Sequence, residues 1–123
     1  MKIVWILIAG ALGTLARYWL GGFVQRISGG VFPWGTFAVN MAGCFLFGLI
    51  WALAEERLVV SGGTRAIILI GFMGAFTTFS TFIFETGALF RDSQWALAVG
   101  NLMLQNFFGI AFLLLGFAAG RTV

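Results

Sequence analysis

The sequence predicts an all-α membrane protein of four transmembrane helices, and three observations carry that prediction. Of its 123 residues, 61% are hydrophobic and 9% charged, against roughly 25% charged in an ordinary soluble domain. Charge is absent from three long stretches, 27–54, 66–84 and 93–120, and about 20 apolar residues suffice to cross a hydrocarbon core of about 30 Å. A fourth apolar run, from Ile3 to about Val24, carries a single charge, Arg17. The expected spans are 3–24, 35–54, 65–90 and 95–120, in one transmembrane domain over 1–123.

Helix one begins after Lys2. That start looks like a signal peptide, but no A-x-A-like site ends the run and apolar sequence continues past Arg17, so the segment is expected to stay as a span. Gly10, Gly13, Gly21 and Gly22 offer places where another backbone can approach closely. The first loop holds Arg26, Ser28, Gly29, Gly30 and Pro33. Helix two should start near Gly35, with Trp34 at interface depth, and end by Glu55. Glu55, Glu56, Arg57 and the run Ser61-Gly62-Gly63 read as a solvated turn. Helix three starts near Thr64 and meets a cluster of small and hydroxylated residues at its midpoint: Gly71, Gly74, Thr77, Thr78, Ser80, Thr81. Such a cluster weakens a regular helix. Arg91, Asp92 and Ser93 turn the chain, Trp95 sits at the interface, and helix four runs to about Gly120.

Several function classes are disfavoured. The one cysteine, Cys44, has no partner for a disulfide or a metal site. Histidine, the commonest general base and metal ligand, is absent, so an enzyme is not expected. Net charge is +3 without a run of Lys or Arg, so nucleic acid has no electrostatic footprint. With four spans, Lys2, Arg57, Arg65 and Arg121 fall on one side and Arg26 and Arg91 on the other. Orientation follows Lys and Arg near the spans, and this bias is a weak instruction.

Polar residues inside the spans are the informative ones, because they are costly unless buried in protein or facing water. Arg17 either snorkels to mark the end of helix one or organises something inside. Asn40 either makes an interhelical hydrogen bond or offers its amide to a ligand. The segment 74–82 either unwinds, which is tolerated only inside protein or along a cavity and frees carbonyls for a hard cation, or merely bends. Phe79 and Phe82 share one face and by spacing alone are packing. Asn101, Gln105 and Gly109 recur every fourth residue on helix four as a pathway or as glue, with Asn106 pointing elsewhere. Glu85 either lines a vestibule or pairs with Arg91.

The chain resembles the Fluc (CrcB) family of bacterial fluoride channels over essentially its whole length. The matching motifs are Gly13-Thr14-Leu15-Ala16-Arg17-Tyr18, Pro33-Trp34-Gly35-Thr36-Phe37-Ala38-Val39-Asn40 and Thr77-Thr78-Phe79-Ser80-Thr81-Phe82. The resemblance implies a dual-topology, antiparallel homodimer in the bacterial inner membrane, with the third helix broken at its midpoint. Two pores would pass fluoride passively out of the cytoplasm and so relieve its toxicity, and a structural sodium ion would sit at the dimer centre. It further implies that the Gly74 and Thr77 carbonyls hold the sodium and that Phe79 and Phe82 line the pores with Asn40. Thr81 and Ser80 would be nearby hydroxyl donors, Arg17 an organiser of the pore mouth, and Glu85 the acidic residue after the motif. Ile83 departs from the serine often found there, and Asn101, Gln105 and Gly109 stand where some members have tyrosine or serine, which leaves the helix-four lining open. One rival is a small four-helix drug or cation exporter, which would need a carboxylate in the first span, where none exists. Another is a non-transporting assembly subunit held by its glycines.

Overall fold

A computed structural model describes residues 1–123, and in it the four apolar runs become helical crossings over Lys2–Ser28, Trp34–Glu56, Gly62–Arg91 and Trp95–Thr122, each long and apolar enough to span a membrane. The protein is a multi-pass membrane protein. The first crossing is the continuous helix α1 (Lys2–Ser28). It runs past the expected boundary near residue 24 because nothing breaks it until Gly29 and Gly30, whose φ angles of 63° and 74° lie in the left-handed region glycine adopts readily. Gln25 fastens the reversal. Its Nε2 donates to the Phe32 carbonyl at 3.1 Å and its Oε1 accepts from Gly35 N–H at 3.0 Å, so one side chain satisfies an otherwise unpaired donor at the start of the next helix.

Helix α2 (Trp34–Trp51) continues as a π-helical turn over Ala52–Glu56. The third crossing starts as the α-helical turn Gly62–Ala66, where Ser61 Oγ accepts from Thr64 N–H at 3.3 Å, a side-chain N-cap. It widens to π-helical bonding over Ile67–Met73 and closes with the turn Gly74–Phe76; 62–76 is called α3. Helical bonding resumes in α4 (Phe79–Arg91), and α5 (Trp95–Thr122) makes the fourth crossing.

At the end carrying both termini, the charges that read as a solvated turn are tied together. Glu55 pairs with Arg65. The Arg121 guanidinium grips both oxygens of Glu56 at 2.6 and 2.9 Å, while Arg57 donates to the Arg121 carbonyl at 2.7 Å.

Only 23 of 123 residues are buried within the chain, so the packing is not that of a soluble core. Lipid tails are as apolar as leucine, and helices in lipid associate through close backbone contact more than through hydrophobic burial. The interface of α2 with α5 illustrates this. A Cβ on Gly48 would overlap the Leu113 carbonyl oxygen, and one on Gly116 would overlap the Phe45 carbonyl oxygen. The two glycines thus let each helix seat against the other's backbone. On the other side, α1 lies along α3 and α2, and Val39, Met73 and Phe76 form the small shared core.

Candidate functional site

The site is built where the third crossing leaves helical geometry. Thr77 (φ −84°, ψ 156°) and Thr78 (φ −148°, ψ 115°) are extended, between α3 and α4. Backbone out of its helix at this depth needs partners, and α2 supplies them. Thr78 N–H donates to Asn40 Oδ1 at 2.9 Å, and Asn40 Nδ2 donates back to the Thr78 carbonyl at 3.0 Å. In a continuous helix Thr78 N–H would return to the Gly74 carbonyl, so the switch to Asn40 deprives that oxygen of its ordinary partner. Thr78 also starts α4: its Oγ1 accepts from Thr81 N–H at 3.2 Å and donates to Thr81 Oγ1 at 2.9 Å, the side-chain cap that a threonine at this position provides.

Two clefts flank this junction, and Thr78 lines both. The first, about 420 Å³, is walled by Asn40, Thr77, Phe79, Phe82, Gln105 and Asn106 among others. Its aromatic wall is an edge-to-face pair: the Phe79 and Phe82 centroids are 5.8 Å apart at 64°. Phe82 is 5% exposed and Phe79 is 73% exposed, so one ring is fixed in the bundle while the other projects from it. The second cleft, about 460 Å³, brings together Arg17, Thr36, Thr81 and Glu85.

The structure sorts the residues singled out in the sequence. Asn40, Thr77, Phe79, Phe82 and Gln105 meet at the first cleft, and Arg17, Thr81 and Glu85 at the second. Arg17 lies well inside α1, since the helix continues to Ser28, so it does not mark the helix end. Glu85 does not pair with Arg91. Arg91 faces its neighbour Asp92, and Glu85 Oε1 instead accepts from Thr36 Oγ1 at 2.8 Å while Oε2 is buried without a partner. Ser80 and Gly74 are exposed and line neither cleft. Asn101 is fully buried away from both; its Nδ2 donates to Thr86 Oγ1 at 2.9 Å, and that hydroxyl donates to the Phe82 carbonyl at 2.7 Å. This chain of bonds ties α5 to the turn of α4 that carries the buried ring. Of the polar residues on α5, Asn101 thus makes an interhelical hydrogen bond, while Asn106, exposed and bonded to the Leu102 carbonyl at 2.7 Å, lines the first cleft together with Gln105 rather than pointing elsewhere.

Sequence reasoning missed Thr36, Thr86 and Gln25. The signal for the first two was present: Thr36 lies four residues before Asn40 and Thr86 four after Phe82, hence on the same helix faces. Gln25 carried no such signal, because its role depends on where α1 stops.

No cluster of His, Cys, Asp and Glu could hold a metal ion. The oxygens at the interruption are backbone carbonyls and threonine hydroxyls, a donor set suited to hard cations rather than transition metals.

Comparison with known proteins gives sequence relatives over nearly the whole chain. A family model described as "CrcB-like protein, Camphor Resistance (CrcB)" matches residues 4–117. The "Fluoride-specific ion channel FluC" of Nitrosococcus oceani is 57% identical over 122 residues, covering 99% of this chain and 98% of that one. Its namesake from Desulforapulum autotrophicum is 53% identical over 122 residues, with the same shares of both chains. That of Magnetococcus marinus is 40% identical over 123 residues, covering 100% of each.

Proposed function

The chain belongs to the CrcB family, and from that premise we propose that it is a fluoride-selective channel, not an enzyme, that lets fluoride leave the cytoplasm passively across the bacterial inner membrane. The observation that carries this reading is the first cleft, where two phenylalanine rings, an amide pair and threonine hydroxyls meet at an interrupted span. Moving a small anion through a bilayer requires groups that replace its hydration yet release it again. Ring edges carry partial positive charge, and a few neutral N–H and O–H donors add to them without a fixed charge that would trap the ion. Phe79, Phe82, Asn40 and Thr81 are assigned to the path, with Ser80 joining from the exposed face; Arg17 and Glu85 sit at its mouth. Fluoride that enters as the neutral acid dissociates at neutral pH, and the anion leaves down its electrochemical gradient, which limits toxicity. The test is reconstitution. Liposomes holding the purified protein should release fluoride to an electrode while chloride release stays at the level of protein-free vesicles. Equal fluoride and chloride fluxes would refute selectivity.

The functional unit in this reading is a homodimer of antiparallel subunits. Phe79, 73% exposed in one chain, is then covered by the partner, and the weak charge bias between the two faces permits insertion both ways. Reporters fused to the C-terminus should give both cytoplasmic and periplasmic signals; a signal from one side alone would remove the antiparallel arrangement.

A sodium ion at the centre of that dimer would be held by the Gly74 and Thr77 carbonyls of both chains. The Gly74 carbonyl fits such a role, having lost Thr78 N–H to Asn40, and a bound cation would neutralise the carbonyl dipoles without being transported. Purified protein should retain radioactive sodium through gel filtration. A Gly74→Pro or Thr77→Pro change is unsuitable as a test because it alters the backbone itself; protein that binds no sodium at millimolar concentration would end this part of the reading.

A further inference from the structure

Inside the bundle polar side chains satisfy one another: Asn40 gives its two amide hydrogens to the Thr78 carbonyl at 3.0 Å and to Gln105 Oε1 at 3.2 Å. The four carboxylates are engaged as well. Glu55 pairs with Arg65, Glu56 with Arg121 and Asp92 with Arg91, and Glu85 Oε1 accepts from Thr36. Arg17 and Arg26 are left without a carboxylate.

Both arginines line one groove of about 900 Å³. Tyr18, Trp19, Gly22 and Phe23 form its walls together with Gln25, so every residue in it belongs to α1. Tyr18, Trp19, Gly22, Phe23 and Arg26 are exposed, and the groove therefore faces away from the other crossings. Tyr18, Gly22 and Arg26 follow one another at four-residue spacing on one helix face. Gly22 leaves a notch midway along that row, where a Cβ would meet nothing within 4 Å.

Depth decides what can enter. Arg26 is in the last turn of α1, at the membrane surface, and Trp19 lies seven residues deeper, about 10 Å at the rise of a helix. A ligand that reaches both needs an anionic head and an apolar body, and the surrounding bilayer is made of such molecules. A guanidinium holds phosphate through paired N–H donors, basic pockets at the ends of membrane spans take anionic headgroups, and aromatic rings lie well at the boundary between headgroup and acyl chain.

We propose that this groove seats an anionic phospholipid, with Arg26 on its phosphate, the Gly22 notch under its glycerol region, and Phe23 and Trp19 along an acyl chain. Arg17 stands at the inner end, where the groove meets the second cleft, and its charge favours a lipid of net negative charge over a zwitterionic one. The assignment does not depend on which ion the chain passes.

The experiment mixes purified full-length protein in detergent with phosphatidylglycerol or phosphatidylcholine and reads bound lipid by native mass spectrometry. Phosphatidylglycerol should be retained in preference. Arg26→Gln should weaken its retention about fivefold, the scale of one interfacial arginine against an anionic lipid. Arg91→Gln removes a charge at the same end of the bundle, but one that already faces Asp92, and should leave retention unchanged. Gly22→Leu keeps every charge and fills the notch without a clash at its Cβ; it should lower retention while the elution profile stays that of the wild type. Equal losses in Arg26→Gln and Arg91→Gln would reduce the effect to diffuse surface charge and overturn the proposal. So would full retention in Gly22→Leu, or equal retention of the two lipids by the wild type. Displacement of phosphatidylglycerol by inorganic phosphate would make the groove a site for a free anion and overturn the lipid assignment. A wild-type dimer that binds no lipid would show the groove covered by a second copy, which overturns it too.

Discussion

Replacing Phe79 by isoleucine is expected to reduce fluoride efflux by about tenfold or more, the scale set by removing roughly 1.4 kcal/mol of stabilisation from the ion's path. The dimer should still assemble, because isoleucine keeps apolar bulk at a position that is 73% exposed in the single chain and covered by the partner in the proposed dimer. Isoleucine keeps the apolar bulk and removes the polarised ring edge. Phe82→Ile should lower efflux as well, but Phe82 is 5% exposed, and truncating a buried aromatic costs about 1–3 kcal/mol of stability. Flux and the elution profile of purified protein, measured together, separate the two effects. Unchanged efflux in Phe79→Ile and Phe82→Ile alike would return both rings to packing.

The second large effect is structural. Gly116→Val should abolish monodisperse protein, and Gly116→Ala should lower its thermal midpoint, whereas Gly100→Ala on the same helix should be neutral or slightly stabilising. A Cβ at Gly116 would lie over the Phe45 carbonyl and 2.9 Å from Leu49 N, both backbone atoms of α2 that cannot rotate away, while one at Gly100 meets nothing within 4 Å. Overpacking a tight site costs about 1–3 kcal/mol, and more where backbones must separate. If Gly116→Ala and Gly100→Ala melt together, the close seating of α2 on α5 is not what holds the bundle.

The legible parts of the fold were those that hydropathy and charge impose. The uncharged stretches became the second, third and fourth crossings, and Arg17 did not prevent the first because it sits in a cleft within the bundle. The ends were less legible. A helix in lipid stops where its backbone is satisfied otherwise, and for α1 that stop is set by Gln25 reaching across Gly29 and Gly30, a contact between residues with no periodic relation. Thr77 and Thr78 drew attention as small polar residues at the wrong depth, and those two positions are where the backbone is extended. What could not be read was the partner that satisfies them: that Asn40 would spend both amide hydrogens, one of them on Gln105, follows from where α2 and α5 cross. Glu85 shows the same limit, since Arg91 was near in sequence but Thr36 was near in space.

The exchange between Asn40 and Thr78 also bears on how such a chain is made. Asn40 belongs to the second crossing, which leaves the ribosome before the third exists. When residues 77–78 arrive in the membrane, the side chain that answers the Thr78 N–H and carbonyl is already there. An unwound segment would otherwise present bare peptide groups to hydrocarbon, each costing several kcal/mol, and would await rescue by a second polypeptide. Here a single chain closes the Thr78 gap by itself, and the Gly74 carbonyl left over at the junction is an acceptor that water can serve. Folding of the third crossing can therefore proceed as soon as the second is in the membrane.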